Sequence, residues 1–225
     1  MFLQITQELF QGFLTLFILF AITLVVALPL GLIIAFCLNS KFKPLSILTN
    51  VIVWIIRGTP LMLQIIAITF VPTLLFKIKN IDVADALGIK MVELNFLFVT
   101  VAFIINYAAY FSVIIKGGIQ SIDKGQFEAG QVLGMTKTQI FFKIVLLQVI
   151  KRIVAPMSNE IITLVKDTSL ARVLGVMEVI MVAQQAVNKY VVVWPIFYSG
   201  VFYLVFVVIL TLLFNFLEKK LKYFD

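Results

Sequence analysis

The sequence contains no histidine and a single cysteine, Cys37, set inside an apolar run. One thiol can form neither a disulfide framework nor a cysteine zinc site within a chain, so Cys37 reads as membrane packing. Without imidazole, neither a His-ligated metal hydrolase nor a Ser-His triad can be assembled. Charge is scarce too. Only 13% of the 225 residues are charged, against roughly a quarter in a soluble domain. No Gly is followed by Lys, so the phosphate loop ending Gly-Lys-Ser/Thr is missing. Energy for any work this chain does must come from a partner or from an ion gradient.

What the sequence has is apolar surface, with 62% hydrophobic residues and a mean hydropathy of +1.13. That exceeds what its own core could bury, and a bilayer is the natural solvent for the rest. Residues 12–38, 94–115 and 191–217 are long and free of charge. Each exceeds the roughly 20 residues a span requires. Residues 46–76, interrupted only by Arg57, and 153–177, carrying Glu160, Lys166, Asp167 and Arg172, complete an expected set of five spans.

The formal charge of +7 is distributed between spans, which excludes a nucleic-acid patch and follows the positive-inside pattern. Lys41 and Lys43 stand in 39–45 without an acid, while 77–93 is neutral. Residues 116–152 hold Lys116, Lys124, Lys137, Lys143, Lys151 and Arg152 against Asp123 and Glu128. The tail holds Lys219, Lys220 and Lys222 against Glu218 and Asp225. The expectation is an all-α integral membrane protein, one transmembrane domain over 1–225, with its N-terminus outside and its C-terminus inside. The first segment lacks the positive start of a secretory signal and reads as a retained span.

The inside loop, 116–152, carries helical punctuation. Asp123 can cap a helix beginning near Lys124, with Glu128 in its early turns. Gly134 suits its stop, and Thr136 with Gln139 forms a capping box opening a second helix. Two readings stand for this pair: docking to a partner, or lying on anionic headgroups.

Polar groups inside spans are costly and carry function by default. Arg57 lies about 17 Å into its span, Asp167 about 21 Å from the same side, and Asn106 about 18 Å from the other, at 1.5 Å per residue. Glu160, Thr163 and Asp167 follow i, i+3, i+7 spacing on one face, and Asn106 and Tyr110 follow i, i+4. Pro60 with Gly58 should kink the second span and free carbonyls toward a cavity. A substrate path is one reading, and an Arg57–carboxylate pair that fixes packing is the other. Lys166 and Arg172 read as structural, with Arg172 bonding Thr168 or snorkelling outward.

The loop reads Gly125-Gln126-Phe127-Glu128-Ala129-Gly130, then Gly134, then Ile144-Val145-Leu146. This resembles the cytoplasmic loop of the permease subunits of bacterial binding-protein-dependent ABC importers. That family has Glu-Ala-Ala, a later Gly, and Ile-x-Leu-Pro. Gly130 and Leu147 depart from it in place of Ala and Pro. Arg57-Gly58-Thr59-Pro60-Leu61 with Gln64 is similar to the second-span motif of the polar amino-acid branch, which includes histidine, glutamine, arginine and cystine systems. Ala109-Tyr110, Gly117-Gly118-Ile119, Asn159-Glu160 and Lys166-Asp167-Thr168-Ser169-Leu170 follow in the family's order. Val113 and Lys116 replace an acid and an Arg.

The resemblance implies a non-catalytic subunit in the bacterial plasma (inner) membrane. Its partners would be two ATPase subunits holding ATP and magnesium, an extracellular solute-binding protein, a second permease copy or paralogue, membrane lipid, and a polar amino acid. No cofactor is expected on this chain. Gln126, Glu128, Ala129, Gly130 and Gly134 would couple to the ATPase. Asp167, Glu160, Thr163, Arg57, Asn106, Tyr110 and Gln64 would line the path. The competing expectation is an ion-gradient transporter or channel with Asp167 and Glu160 as ion sites. A membrane enzyme using Ser169 and Lys166 is the third.

Overall fold

The computed structural model describes residues 1–221; Lys222 and Asp225, counted in the basic tail, lie outside the described residues. Among the described residues every element is helical, which satisfies backbone hydrogen bonds within each segment as hydrocarbon demands. The chain opens with α1 (Phe2–Leu38), α2 (Lys43–Gly58) and α3 (Leu61–Phe76), then α4 (Asn80–Leu87) and α5 (Met91–Gln120). Next come α6 (Lys124–Val132), α7 (Lys137–Ile140) and a π-helical turn, Phe141–Val145, leading into α8 (Leu146–Asp167). A 3-10 segment, Thr168–Leu174, follows, then α9 (Val179–Tyr190) and α10 (Trp194–Leu221).

The core forms around α1 and α5. Leu16, Leu19 and Phe20 of α1 are buried with Phe103, Tyr107 and Phe111 of α5, and α8 and α10 close on them with Ile161, Leu164 and Phe206. Outward faces stay apolar: Trp54, Leu74 and Phe197 are each about three-quarters exposed. Such faces suit lipid. The helices α1, α5 and α10 are long and apolar enough to cross a membrane, and the bent pair α2–α3 is a fourth if it counts as one span. Among the described residues the charged helix α8 is not apolar enough to count with them.

Several boundaries differ from the sequence expectation. The first helix begins at Phe2, well before residue 12, because 2–11 continue its buried face with Ile5 and Leu9. The second span is broken rather than kinked, with 107° between α2 and α3. Pro60 pushes Thr59 out of the α region, to φ −112° and ψ 141°, and is itself extended. Two consecutive extended residues turn a kink into a corner. Helix α8, expected as the span over 153–177, starts at Leu146, not 153, and tightens to 3-10 geometry after Asp167. Sequence reading placed no element between 177 and 191, yet α9 stands there. Glu178, fully buried, caps it: its oxygens accept from Ile180 N and Met181 N, both at 2.8 Å, and from Tyr203 Oη at 2.9 Å. That carboxylate is fully partnered and ties α9 to α10. At the far end of α9, Lys189 pairs with Glu8 of α1 at 2.9 Å.

The segment between α5 and α8 folds as its punctuation indicates. Asp123 Oδ1 accepts from Gly125 N at 2.6 Å, and Gly134 ends α6 with φ +74°. The Thr136–Gln139 capping box is present in both directions, at 2.9 and 3.3 Å. The second helix is not free-standing, however. It runs through the π turn into α8, so α7 and α8 form one continuous helical rod. A small core of Ile122, Ile140, Val145 and Val149 holds the pair. Gly130 is buried at its centre, where an added Cβ would meet Ile140 Cγ1 at 2.6 Å. The missing methyl at Gly130 is therefore what lets α6 sit on α7.

Candidate functional site

Pro60 starts the chemistry of the site by what it lacks. In a continuous helix its N–H would bond Ile56 O, and proline has none. Gln64 supplies the missing donor. Its Nε2 reaches Ile56 O at 2.7 Å and Thr59 O at 3.0 Å. Its Oε1 accepts from Asn106 Nδ2 of α5 at 3.1 Å. Tyr110, one turn along α5, donates its hydroxyl to Arg57 O at 3.3 Å. The corner is thus fastened to α5 by side chains that answer its exposed carbonyls.

Beside the corner lies a cavity of about 430 Å³. Arg57 and the Gly58–Leu61 backbone form one wall, Asn106 and Tyr110 the second, and Glu160, Thr163 and Asp167 the third. Of the seven residues assigned to a path from sequence, six line this cavity, and Gln64 stands behind it. Arg57 lies over the Tyr110 ring, 5.0 Å from its centroid. Among the described residues it forms no ion pair with a carboxylate, so the packing pair considered above is not made. Thr163 returns its hydroxyl to Asn159 O at 3.0 Å, leaving its methyl and oxygen lone pairs for the cavity. One guanidinium faces two carboxylates across open space. Charged groups in that arrangement suit a ligand that carries both signs.

Sequence reasoning missed Tyr107. It is almost wholly buried, and its hydroxyl donates to Asp167 Oδ2 at 2.7 Å. The bond spans sixty residues of sequence. The available signal was its place between Asn106 and Tyr110, inside an apolar segment where a phenol needs a partner. Other expectations resolve differently. Thr168 bonds Val165 O rather than Arg172, which is exposed. Ser169 Oγ donates to the backbone oxygen of Lys166 at 2.8 Å, so the pair shows no nucleophile–base contact. Of the residues expected to couple to a partner, Gln126, Glu128 and Ala129 are exposed on α6, as is Gly134 just beyond it. Val132 and Leu133 beside them are 87% and 76% exposed.

The model of the binding-protein-dependent transport system inner membrane components matches residues 27–223. This chain belongs to that family. Among curated relatives, the permease is similar to the arginine transport system permease protein ArtQ of Bacillus subtilis (strain 168). The two are 33% identical over 202 residues, covering 89% of this chain and 86% of that protein. The L-cystine transport system permease protein TcyB of the same organism is 38% identical over 156 residues, 69% of this chain and 61% of its own. Among solved structures, an amino acid ABC transporter crystallised with histidines matches with a TM-score of 0.84 at 25% identity, covering 97% and 96% of the two chains. The MetNI methionine ABC transporter in inward-facing form matches at 0.67 and 15% identity, which speaks to the fold. The permease is thus a membrane subunit of a binding-protein-dependent importer, and an independent ion-driven carrier is set aside.

The Tyr107–Asp167 bond gives a first expected result. Tyr107→Phe in the assembled transporter should raise the KM for uptake about tenfold, since a hydrogen bond to a charged group contributes roughly 1.5–3 kcal/mol. Maximal rate and complex yield should hold, because the ring stays packed between Phe103 and Phe111. An unchanged KM would remove Tyr107 from the site.

Proposed function

We propose that the permease passes a polar amino acid, preferentially one with a cationic side chain, through the cavity between α2–α3, α5 and α8. The observation carrying this is the charge set: Arg57 on one wall, Glu160 and Asp167 on another. Arg57 would receive the α-carboxylate. Asp167 would take the α-ammonium and Glu160 the cationic side chain, or the reverse. With two carboxylates to one guanidinium, a substrate of net positive charge leaves the filled cavity neutral. The names of the relatives, arginine, glutamine and cystine permeases among them, support a polar amino acid, while the cationic preference rests on the charges of the cavity alone.

In this reading the chain forms five spans, with α8 as the charged fourth, its N-terminus outside and its C-terminus inside. Two ATPase subunits, holding ATP and magnesium, dock below on α6. A solute-binding protein delivers substrate from outside, and a second permease copy or paralogue completes the path. Closure of the ATPases would move α6–α7 and, through the π turn, α8 with Glu160 and Asp167. This is a bistable bundle biased from both faces.

The test is reconstitution of the permease with an ATPase and binding protein from its source, followed by uptake of labelled arginine, lysine, glutamine and a neutral aliphatic control. ATP-dependent uptake of the cationic pair, exceeding glutamine, is expected; failure to copurify with any ATPase would refute the importer assembly. Within it, Glu128→Ala should abolish substrate-stimulated ATPase activity while leaving uncoupled hydrolysis in place. Full stimulation in that variant would remove Glu128 from the docking contact.

A further inference from the structure

Arg57 borders two cavities. One is the cavity it shares with Glu160 and Asp167. The other, of about 320 Å³, lies between α2 and α5 and reaches Leu38, the last residue of α1. Asn50 and Arg57 of α2 line it opposite Val113, Lys116, Gly117 and Gln120 of α5. The α5 wall continues a face that begins in the first cavity, since Asn106, Tyr110, Val113, Gly117 and Gln120 recur at helical spacing. A Cβ on Gly117 would meet nothing within 4 Å, so the backbone there borders open space. Among the described residues no Asp or Glu lines this second cavity. Polar groups strung along one face of an apolar helix avoid hydrocarbon and line water-filled space instead.

A cation at the end of an apolar span ordinarily snorkels outward to water or headgroups. Lys116 turns the other way. Its Nζ donates to Asn50 Oδ1 at 3.2 Å, and Asn50 lies about 10 Å into α2 from Lys43 at 1.5 Å per residue. The Asn50 amide is oriented for this, because its Nδ2 donates to Ser46 O at 2.7 Å. A neutral amide satisfies one of the three ammonium donors and none of the charge. Tyr110 holds Arg57 O, and Lys116 lies about 9 Å further along α5. Two cations thus stand one step apart on a line leaving the first cavity. We propose that the two cavities form one hydrated route toward the inside, and that Lys116 receives the amino acid's carboxylate as it leaves Arg57. This rests on the substrate class and the inside orientation proposed above. A guanidinium fork grips a carboxylate by two parallel bonds, whereas an ammonium is a point charge on a flexible stem. The substrate is held at Arg57 and let go at Lys116.

The experiment uses the whole transporter in proteoliposomes. Lys116→Met should lower the maximal rate of labelled arginine uptake about tenfold, the loss of one charge-assisted hydrogen bond, with KM held within about twofold. Lys116→Arg should keep most of the rate. An unchanged rate in Lys116→Met overturns the subsite. Equal loss in Lys116→Arg overturns it too, by marking a structural role. A second measurement does not depend on uptake. Cys37→Ala with Val113→Cys leaves this chain a single thiol, placed on the route. Applied from inside, anionic sulfonatoethyl methanethiosulfonate should label it several-fold faster than the cationic trimethylammonioethyl reagent, each relative to its rate with free cysteine. Adding Lys116→Met should remove that preference. No labelling from inside, or a preference that survives Lys116→Met, overturns the route. A wild type that takes up no arginine refutes the proposed substrate, and the labelling ratio still decides this route.

Discussion

Asp167→Asn should reduce uptake of a cationic amino acid about thirtyfold while the complex assembles normally. The substitution is isosteric, and the new amide oxygen still accepts the Tyr107 hydroxyl that now reaches Asp167 Oδ2 at 2.7 Å. Only the charge is lost. The cavity changes from two carboxylates against one guanidinium to a balanced pair, Glu160 and Arg57. Unit charges about 4 Å apart interact by roughly 4 kcal/mol at an effective dielectric of about 20. Screening by water in an open cavity leaves about 2 kcal/mol of that, or roughly thirtyfold, since about 1.4 kcal/mol is tenfold. Uptake of a neutral amino acid should fall less, because it loses only the partner of its α-ammonium. Glu160→Gln should show the same ordering. Wild-type uptake in Asp167→Asn would eliminate the carboxylate as a ligand. Failed assembly with the ATPase would make it a packing residue.

The polar residues of this cavity were legible because a charge inside an apolar run has few uses. Glu160, Thr163 and Asp167 announce one face by spacing alone, and Asn106 with Tyr110 announce another. Asp123, Gly134, Thr136 and Gln139 were legible for a related reason: caps and left-handed stops are satisfied within a few residues of chain. What needed three dimensions was pairing at a distance. Tyr107 looks like any buried aromatic until Asp167 is placed against it. The corner at Thr59–Pro60 reads as a kink, since its 107° angle depends on Gln64 replacing the missing donor and on Asn106 and Tyr110 holding the result. Helix α9 escaped notice because twelve residues with one apolar face, bearing Gln184, Gln185 and Lys189 elsewhere, resemble a polar connection. Its anchor, Glu178, is a buried acid whose partners lie on two different helices. Family motifs singled out the segment that folds as α6, but they could not say why Gly130 departs from the family's Ala.

Gly130→Leu should uncouple transport altogether, and Gly130→Ala should do so in part. The added Cβ of Ala would stand 2.6 Å from Ile140 Cγ1 and 3.0 Å from Cδ1. Ile140 is 1% exposed and β-branched, walled by Val145, Val149 and Ile122, so it has no open rotamer to retreat into. Overpacking of this kind costs about 1–3 kcal/mol for a methylene or two. A core of four buried residues cannot spread that strain as the α1–α5 core could. With Leu, the helix must lift from α7, carrying Glu128 away from the docking contact proposed for it. Substrate-stimulated ATPase should then fall to the uncoupled level, with hydrogen exchange across 124–140 accelerated and the spans unaffected. Ile140→Val alone should cost about 0.5–1.5 kcal/mol, yet in combination with Gly130→Ala it should restore stimulation, because the bulk removed faces the bulk added. Coupling lost equally in the single Ala variant and the Ala–Val pair would show that α6 is held by something other than the Gly130–Ile140 contact. Restoration would identify Gly130 as the local answer to Ile140, with the helix pair, rather than the motif residue, as the unit that meets the ATPase.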